Sequence, residues 1–490
     1  MSYLKSKRGI FLKIAFVTLI ISLFSFAAFG EKAWETINWN GPVSMAERIS
    51  GDKYILPEGW ENAIKGVDEL VYYNSGGLAG DIATAMNIKL FEELTGLKVK
   101  AVPVPSELEH AKSLATLLAQ DGSVPLLLVG SPVRELSTFA REEWLTPIDF
   151  LYPQDVQDLF TPALKDLHFR NGHWWASQET ALGMGVVFYR PSWLEKSGIA
   201  VPDNWQDIYT AAKKCRTWAK QELGESYYGM VFSGILENWI DSFQGTLYSQ
   251  GGSWYLGNEP NMLSEEWKNA FSYWANFILE DIASQEVLNY NFIDRGRVFG
   301  IGQAAFGAGI MTSYTMKYMT EFPEVFDDWA IMAPPKWAPG DPEEGRVGWL
   351  NGNSGVINKY APDNHQAAAM LFLDFLRSKE AQTNELIVEG NEAYMLSLYD
   401  DPTLPSKVNW NLADSVAEEI GNPHPAHIEE IPYLNIRATL MKYGKTEQLL
   451  PGFPQLGTEV KSQFAQVVTG QTTIDDAIQA IQDYAEQLPR

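Results

Sequence analysis

The chain has 490 residues, of which 46 % are apolar and 20 % are charged, and its formal net charge is −25. This composition is typical of a folded globular protein and excludes a disordered or low-complexity chain. At roughly 100–200 residues per domain, the length predicts two or more lobes, each with its own core. The acidic balance argues against nucleic acid as a partner, because phosphate binding needs stripes of lysine and arginine.

The chain has one cysteine, Cys215. A single cysteine excludes a disulfide framework and any zinc or iron–sulfur site built on cysteines. Because Cys215 falls in a helix-like stretch, we expect it to be a buried, inert thiol.

The first thirty residues have the layout of a secretory signal peptide. Basic residues stand within 1–13, an apolar run follows over 14–29, and small residues precede Glu31. The run is short for a membrane span, which needs about 20 residues, so we expect cleavage near Gly30 rather than a permanent anchor. No cysteine lies near that point, which excludes lipid attachment there. We therefore expect a free periplasmic protein, with 31–66 as a lead-in that wraps the first lobe.

The first clear elements form a β-α-β unit. The run 69–73 predicts a strand, the apolar spacing over 81–95 predicts a helix that Gly96 ends, and 99–104 predicts a second strand. A strand, a helix and a strand in this order imply a parallel sheet. The predicted apolar stripe of the helix consists of Ile82, Met86, Leu90 and Leu94.

Helix and strand signals continue to alternate along the chain, which favours an α/β fold. The run 125–129 is wholly apolar, as in a strand that is buried on both faces. Further helices are predicted at 108–119, 205–221 (after an Asp203 cap), 265–280, 364–377 and 460–488 (broken at Gly470), and further strands at 185–189, 307–311 and 348–357.

Three motif-like segments carry little weight. Residues 444–446 end like a phosphate loop, but the first glycine that the loop requires is replaced by Thr439. The glycines of 300–305 precede a strand rather than follow one, the wrong context for a dinucleotide site. His424 and His427 are separated by Pro425, which prevents a helical pair of metal ligands, so we expect a surface loop there. We expect neither a metal nor a cofactor.

Aromatic residues are abundant, with 17 Trp, 21 Tyr and 24 Phe. An aromatic ring packs well on the apolar face of a sugar, while amides and carboxylates bind its hydroxyls. Open α/β sheets bind ligands beyond the carboxyl ends of their strands. The residues at such predicted strand ends are Tyr73, Asn74, Ser75, Ser131, Tyr314, Trp349 and Asn351.

Several segments carry a family resemblance. The stretch 90–99, LFEELTGLKV, is similar to FEExTGIKV, and 187–198, VFYRPSWLEKSG, is similar to LxYNKDLFEKAG. The segments 302–306 and 475–478 follow in the same order. Together these motifs, over about 67–488, resemble the maltose-binding-protein-like sugar-binding proteins of ABC importers, a family of extracellular solute-binding proteins. Each motif is weak alone, whereas their order and spacing are specific.

The resemblance implies a two-lobed periplasmic binding protein type II fold. Each lobe would be a mainly parallel sheet flanked by helices, and a three-segment hinge would let the lobes close on a ligand. The implied lobes are 67–178 with 353–395 and 182–347 with 402–490, and the implied hinges lie near 177–182, 347–353 and 393–401.

The resemblance also implies which residues line the cleft. The loop that contains Tyr314 corresponds to an aromatic platform of the family, and the first hinge strand would supply a carboxylate or an amide. The implied ligand-binding residues are Asn74, Ser75, Ser131, Glu179 (or Gln178), Trp239, Asp241, Gln244, Tyr314, Trp349 and Asn351.

One departure from the family concerns its ligand. Many members carry Pro-x-Arg before a Ser-Val-Tyr-x-Asp-Pro motif, and the arginine meets sugar oxygens. Here Ala393 and Met395 occupy the Pro and Arg positions, so a charged donor is missing. We expect Glu392, Tyr394 or Asn391 to take its place.

The sequence thus predicts a monomeric binding protein that captures a sugar or polyol, delivers it to an ABC permease and catalyses no reaction. Two alternatives stay open. A secreted carbohydrate-active enzyme would use paired carboxylates, whose separation is invisible in sequence. A binding protein of the same fold for a charged solute, such as a polyamine, would use Glu179, Asp241 and Glu392.

Overall fold

The structure is a computed structural model that describes residues 31–75, 81–105, 108–129, 132–234, 236–320, 322, 328–446 and 453–488. The predicted signal peptide lies outside these residues. No helix in the described ranges is both long and apolar enough to cross a bilayer.

Strands and helices alternate through the described residues. The strands are β1 Glu69–Ser75, β2 Lys98–Val104, β3 Leu126–Val129, β4 Leu145–Thr146, β5 Phe169–Arg170, β6 His173–Trp174, β7 Ala176–Met184, β8 Val187–Tyr189, β9 Tyr228–Val231, β10 Tyr255–Leu256, β11 Glu259–Pro260, β12 Ala304–Ala308, β13 Ala330–Met332 and β14 Trp349–Asn358. The α-helices are α1 Met45–Ser50, α2 Trp60–Ala63, α3 Ile82–Thr95, α4 Glu109–Leu118, α5 Pro132–Arg141, α6 Gln154–Gln157, α7 Ala163–His168, α8 Pro191–Lys196, α9 Trp205–Glu222, α10 Leu236–Ser249, α11 Glu265–Leu279, α12 Phe292–Gly300, α13 Tyr314–Thr320, α14 Asp363–Leu376, α15 Lys379–Asn384, α16 Trp410–Ile420, α17 Leu434–Tyr443, α18 Phe453–Val468 and α19 Ile474–Glu486.

The first sheet is built on the predicted β-α-β unit. Its described strands run in the order β2, β1, β3, β14 and β4, and β7 also pairs with β14. β1 is parallel to β2 and β3, whereas β14 is antiparallel to β3, β4 and β7. Because β1 and β3 are parallel neighbours, they end at the same edge of the sheet, with Asn74 close to it.

The second sheet has the order β13, β8, β12 and β9 in the described residues. β12 is parallel to β9, and β8 is antiparallel to both β12 and β13. β7 ends at Met184 and β8 begins at Val187, so the chain passes directly from the first sheet to the second. Two sheets flanked by helices confirm the predicted α/β class.

The predicted stripe of α3 is only partly correct. Met86 is fully buried, but Leu94 is 39 % exposed and Phe91 is buried in its place. A strict spacing of four residues drifts around a helix of 3.6 residues per turn, by about 120° over three steps. The buried face therefore shifts from the predicted stripe towards Phe91.

Two further predictions differ in detail. Asn204 rather than Asp203 caps α9, because the Asn204 side chain accepts a backbone N–H of the first turn at 2.9 Å. The strand predicted at 307–311 begins earlier, at Ala304, and ends before Gly309, whose φ of +68° is a backbone conformation that favours glycine.

A buried charge cluster ties the lead-in to the first sheet's helices. Arg48 of α1 forms an ion pair with Asp374 of α14, the Tyr54 hydroxyl donates to the same carboxylate at 2.5 Å, and Arg377 Nη2 donates to it at 2.6 Å. Burial raises the pKa of Asp374, but the two arginines outweigh it and hold the pKa below its usual range. The lead-in therefore packs as part of this side of the molecule.

Cys215 is fully buried on α9, and its Sγ lies 3.8 Å from the carbonyl oxygen of Trp193. Burial raises the pKa of its thiol to about 11. A protonated thiol is a weak nucleophile, so the expectation of a buried, inert cysteine is confirmed.

Candidate functional site

Two paired strands connect the sheets. β7 and β14 run antiparallel as far as Met184, which lies beside Trp349. Just beyond this pair, the backbones of Gly185 and Gly348 are very close. If Gly185 were replaced by a residue with a side chain, its Cβ atom would lie only 2.2 Å from the Cα of Gly348. Such a close approach of two backbones needs glycine. The crossing of these strands brings residues from both sheets to one place.

The end of β7 meets the loop that follows β12. The backbone N–H of Thr312 donates to the carbonyl oxygen of Gly183 at 3.1 Å. A Cβ on Gly183 would lie 3.3 Å from Thr312 Oγ1. The Thr312 hydroxyl therefore lies directly beside the crossing strand.

Helices α10 and α12 also reach this point. A Cβ on Gly309 would lie 2.6 Å from Ser242 Oγ and 3.0 Å from Nη1 of Arg295. Nη2 of Arg295 lies 3.6 Å from Sδ of Met184. Ser242 is thus a neighbour of the same strand end, contributed by α10.

Several polar groups around the crossing are buried without a hydrogen-bond partner in the described part of the chain. They are Ser242 Oγ, Thr312 Oγ1 and Trp349 Nε1. Both amide atoms of Asn74 also lack a partner, but Asn74 lies at the end of β1 rather than at the crossing. All four residues are at most 2 % exposed. A buried polar group without a partner costs about 1–3 kcal/mol, so these groups oppose folding. Each is uncharged and suits a ligand that both donates and accepts hydrogen bonds.

The structure brings two predicted residues, Tyr394 and Asn351, into contact. The Tyr394 hydroxyl donates to the carbonyl oxygen of Asn351 at 2.9 Å. Burial raises the pKa of Tyr394. His168, whose ring centroid is 6.5 Å from that of Tyr394, is kept neutral because burial and the nearby Arg170 lower its pKa to about 3. Both rings are therefore uncharged at neutral pH.

Glu392 is satisfied by other protein groups. Its Oε1 accepts from Nε of Arg437 at 2.9 Å, and its Oε2 accepts from the Tyr399 hydroxyl at 2.5 Å. Arg437 Nη2 also donates to the carbonyl of Gly390 at 2.6 Å, and both Glu392 and Arg437 are fully buried. The charge of Glu392 is therefore neutralised within the protein, and its role towards a ligand stays a prediction. Sequence reasoning missed Arg437, which lies 45 residues away.

The predicted aromatic platforms are deeply packed. Tyr314 is 4 % exposed, its ring would lie 2.3 Å from a Cβ on Gly296, and its centroid is 5.4 Å from that of Tyr318. Trp349 is 2 % exposed, and Gln244 is fully buried on α10. In this conformation other protein groups cover the rings of Tyr314 and Trp349. The role of both rings towards a ligand stays a prediction.

The remaining predicted site residues have no described side chain. Ser131 lies outside the described residues. The backbone alone is described for Ser75 at the end of β1, Gln178 and Glu179 in β7, and Trp239 and Asp241 in α10. Their roles stay predictions.

The described residues contain no group of three or more metal-ligating side chains that could hold a metal ion. His424 and His427 each lie 3.0 Å from the same oxygen of Asp414. Both histidines are exposed in an irregular segment, which confirms the expected surface loop.

Comparison with known proteins identifies the family. The sequence profile described as "Bacterial extracellular solute-binding protein" matches residues 77–383, which is more than half of the chain. The chain belongs to this family. The family and the matched relatives are binding proteins rather than enzymes, so the family prediction is confirmed and the alternative of a carbohydrate-active enzyme is set aside.

Individual relatives of this solute-binding protein are distant in sequence. The mannitol-binding protein of Pseudomonas aeruginosa is 20 % identical over 403 residues, which cover 80 % of this chain and 87 % of the relative. The structure of maltose-bound MalE3 of T. maritima has a TM-score of 0.68 at 19 % identity and covers 85 % of this chain and 99 % of the relative. The structure of a solute-binding protein of Agrobacterium radiobacter in complex with ribitol has a TM-score of 0.65 at 18 % identity. The match covers 86 % of this chain and 99 % of the relative. These structures confirm the two-lobed fold.

Proposed function

We propose that this solute-binding protein captures an uncharged sugar or polyol where β7 and β14 cross between the sheets. The observation that supports the proposal is the set of buried, unpartnered polar groups of Ser242, Thr312 and Trp349 at the crossing. Asn74 adds a buried, unpartnered amide at the end of β1. A polyhydroxy ligand can satisfy amide, hydroxyl and indole groups together, because each hydroxyl both donates and accepts. The indole of Trp349, which other protein groups cover in this conformation, would pack its apolar face on the C–H groups of a bound sugar.

The charges around the crossing disfavour a cationic ligand. A polyamine would require carboxylates that lack a partner within the protein, because a buried ammonium must be paired. Of the acids that the sequence offered for this role, Glu392 is already bound to Arg437 and Tyr399. The distant relatives support the same choice, since their names include binding of mannitol and complexes with ribitol and maltose.

The proposed mechanism is closure of two lobes around the ligand. We assign 67–178 with 353–395 to lobe one and 182–347 with 402–490 to lobe two, with hinges near 177–182, 347–353 and 393–401. The closed form would shield the ligand from water and present it to an ABC permease. The protein would act as a monomer in the periplasm after removal of residues 1–30.

A ligand panel tests this function. The purified protein would be screened by thermal shift against mannitol, ribitol, maltose and the polyamine putrescine, and positive mixtures would be checked for ligand breakdown. A ligand that binds only the native state raises the melting temperature by mass action. We expect a shift with an intact sugar or polyol and none with putrescine. A shift with putrescine alone would refute the proposal.

Titration calorimetry then tests the location of the site. Trp349→Phe keeps most of the buried ring but removes the indole N–H and part of the ring face. We expect the affinity for the ligand to fall by about tenfold, equivalent to about 1.4 kcal/mol. An unchanged affinity would show that the ligand does not bind at the strand crossing.

A further inference from the structure

A buried ion pair lies beside the strand crossing. Oε1 of Glu392 accepts from Nε of Arg437 at 2.9 Å, and both side chains are fully buried. A buried ion pair loses hydration that its attraction repays only when the geometry is very good, so it is weak evidence of a stabilising role. The position of the pair next to the proposed binding site is therefore its informative property.

Glu392 approaches β7 from the same face as Thr312. If Gly183 of β7 carried a side chain, its Cβ would lie 2.7 Å from Cγ of Glu392 and 3.3 Å from Oγ1 of Thr312. A Cβ points to one face of a strand, so the two side chains share that face. The same Cβ would lie 2.5 Å from Cδ2 of Leu440, and α17 carries Arg437 one turn before Leu440. Both partners of the ion pair thus belong to the surroundings of the crossing.

Glu392 alone balances the charge of Arg437 among the described residues. The other contacts of the guanidinium are uncharged, because Nη2 donates to the backbone carbonyls of Gly390 at 2.6 Å and Asn391 at 3.1 Å. Nη1 is buried and has no partner in the described part of the chain. An arginine side chain is not deprotonated in a protein. Loss of the Glu392 charge would therefore leave a permanent buried cation with a free N–H group.

The same chemistry occurs a second time, away from the crossing. The carboxylate of Asp374 is fully buried, pairs with Arg48 and Arg377 and accepts from the Tyr54 hydroxyl at 2.5 Å. Glu392 accepts from the Tyr399 hydroxyl at the same distance. Asp374 anchors the lead-in, however, and not the surroundings of Thr312. The chain thus offers a matched control for any effect that depends on the position of Glu392.

We propose that Glu392 determines the charge specificity of the site: it cancels the charge of Arg437 beside the crossing, so that the site accepts neutral sugars and polyols and rejects their acids. An acid that enters the wild-type site meets a carboxylate that repels it and a guanidinium that is already paired. Specificity arises in this way from disfavouring the wrong ligand as well as from favouring the right one. The inference rests on the proposed function and adds the ligand charge that the site selects.

Two variants and one matched control test this role. Glu392→Gln removes the charge but keeps the shape of the side chain and an oxygen that can accept from Arg437 or Tyr399. The double variant Glu392→Gln/Arg437→Met removes both charges. Asp374→Asn is the control, because it also leaves buried arginines without their carboxylate, but at the lead-in. Urea denaturation of the three variants would show whether the fold is retained.

Titration calorimetry with three ligand pairs measures the selectivity. The pairs are mannitol and mannonate, ribitol and ribonate, and maltose and maltobionate, in each of which the second compound carries a carboxylate where the first has a neutral oxygen group. We expect the wild type to bind an acid at least about tenfold more weakly than its neutral counterpart, and Glu392→Gln to bind that acid at least about tenfold more tightly than the wild type does. The double variant and Asp374→Asn should show no such gain. Arg295 is present in every protein of the series, so it does not account for a difference among them.

Three results would each overturn the role of Glu392. They are a wild type that binds an acid as tightly as its neutral counterpart, a folded Glu392→Gln without a gain, and an equal gain in the double variant or in Asp374→Asn. If Glu392→Gln does not fold, Arg437→Met decides: the carboxylate that it leaves should bind 1-amino-1-deoxymannitol at least about tenfold more tightly at pH 8.5 than the wild type does, and no gain would overturn the role.

Failure of this inference and failure of the proposed function remain distinguishable. If the wild type binds none of the neutral ligands but Glu392→Gln gains affinity for an acid, the role of Glu392 stands and the proposed function is wrong. If the wild type binds a neutral ligand and Glu392→Gln gains no affinity for the corresponding acid, the role of Glu392 alone is wrong.

Discussion

The hydroxyl of Thr312 provides the sharpest test of the recognition site. Thr312→Val replaces that hydroxyl by a methyl group of nearly the same shape. The side chain is 1 % exposed and Oγ1 has no partner among the described residues, whereas the backbone is held by Gly183 and by Thr315, whose hydroxyl donates to the Thr312 carbonyl at 2.7 Å. The substitution therefore removes one polar atom without removing a hydrogen bond within the protein.

The structure predicts opposite effects of Thr312→Val on stability and on binding. Burial of an unpaired hydroxyl costs about 1–3 kcal/mol, so the ligand-free variant should be more stable by roughly 1 kcal/mol. The ligand loses a partner in a water-excluded site, so its affinity should fall by about 5- to 30-fold, equivalent to about 1–2 kcal/mol. The urea midpoint measures the first effect, and titration calorimetry measures the second.

Thr315→Val is the matched control for this prediction. Thr315 is also fully buried and lies in the first turn of α13, but its hydroxyl has a partner within the protein. Its substitution should therefore lower the urea midpoint and leave the affinity unchanged. If Thr312→Val behaves in the same way as Thr315→Val, the Thr312 hydroxyl is structural and the reasoning from unpartnered groups is refuted.

Three further predictions address packing and titration. Asp374→Asn leaves Arg48 and Arg377 buried without their shared carboxylate, so we expect the free energy of unfolding to fall by about 3–5 kcal/mol; a urea midpoint close to that of the wild type would contradict this. Trp349→Ala should lower the free energy of unfolding by about 3–5 kcal/mol, because it leaves a cavity. A loss of binding in that variant is therefore informative only beside Trp349→Phe. A urea midpoint close to that of the wild type would show that the ring does not belong to the core. Burial is the main cause that raises the pKa of Glu385 to about 8. Because the unfolded state ionises first, Glu385 contributes a loss of stability as the pH rises from 4.5 to 8. Glu385→Gln should make the fall in the free energy of unfolding over this range less steep in pH-dependent urea denaturation, and equal slopes in the two proteins would contradict this.

The sequence predicts most of the elements but not the faces they bury. The β-α-β unit, the buried run at β3 and the long helix α14 follow from apolar spacing and glycine ends, which are local properties. Which side of α3 is buried depends on the drift between a four-residue repeat and the 3.6-residue helical turn, and this drift exposes Leu94. The packing of the lead-in 31–66 could not be predicted from the sequence, because its anchor is an ion pair between Arg48 and Asp374, which are 326 residues apart.

The site shows where reasoning from sequence ends. Strand termini draw attention to Asn74 and Trp349 in the sequence, and the fold buries the polar groups of both without a partner among the described residues. Their roles towards a ligand stay predictions. Ser242 carries no sequence signal, and Thr312 has only its place after the strand predicted at 307–311. What draws attention to both is a buried hydroxyl without a partner among the described residues, which is a property of the folded chain. Glu392 shows the converse. A carboxylate in a hinge segment is a reasonable ligand group, but the fold places Arg437 against Glu392. That pairing weakens the case for a charged ligand, for which the sequence also offers Glu179 and Asp241.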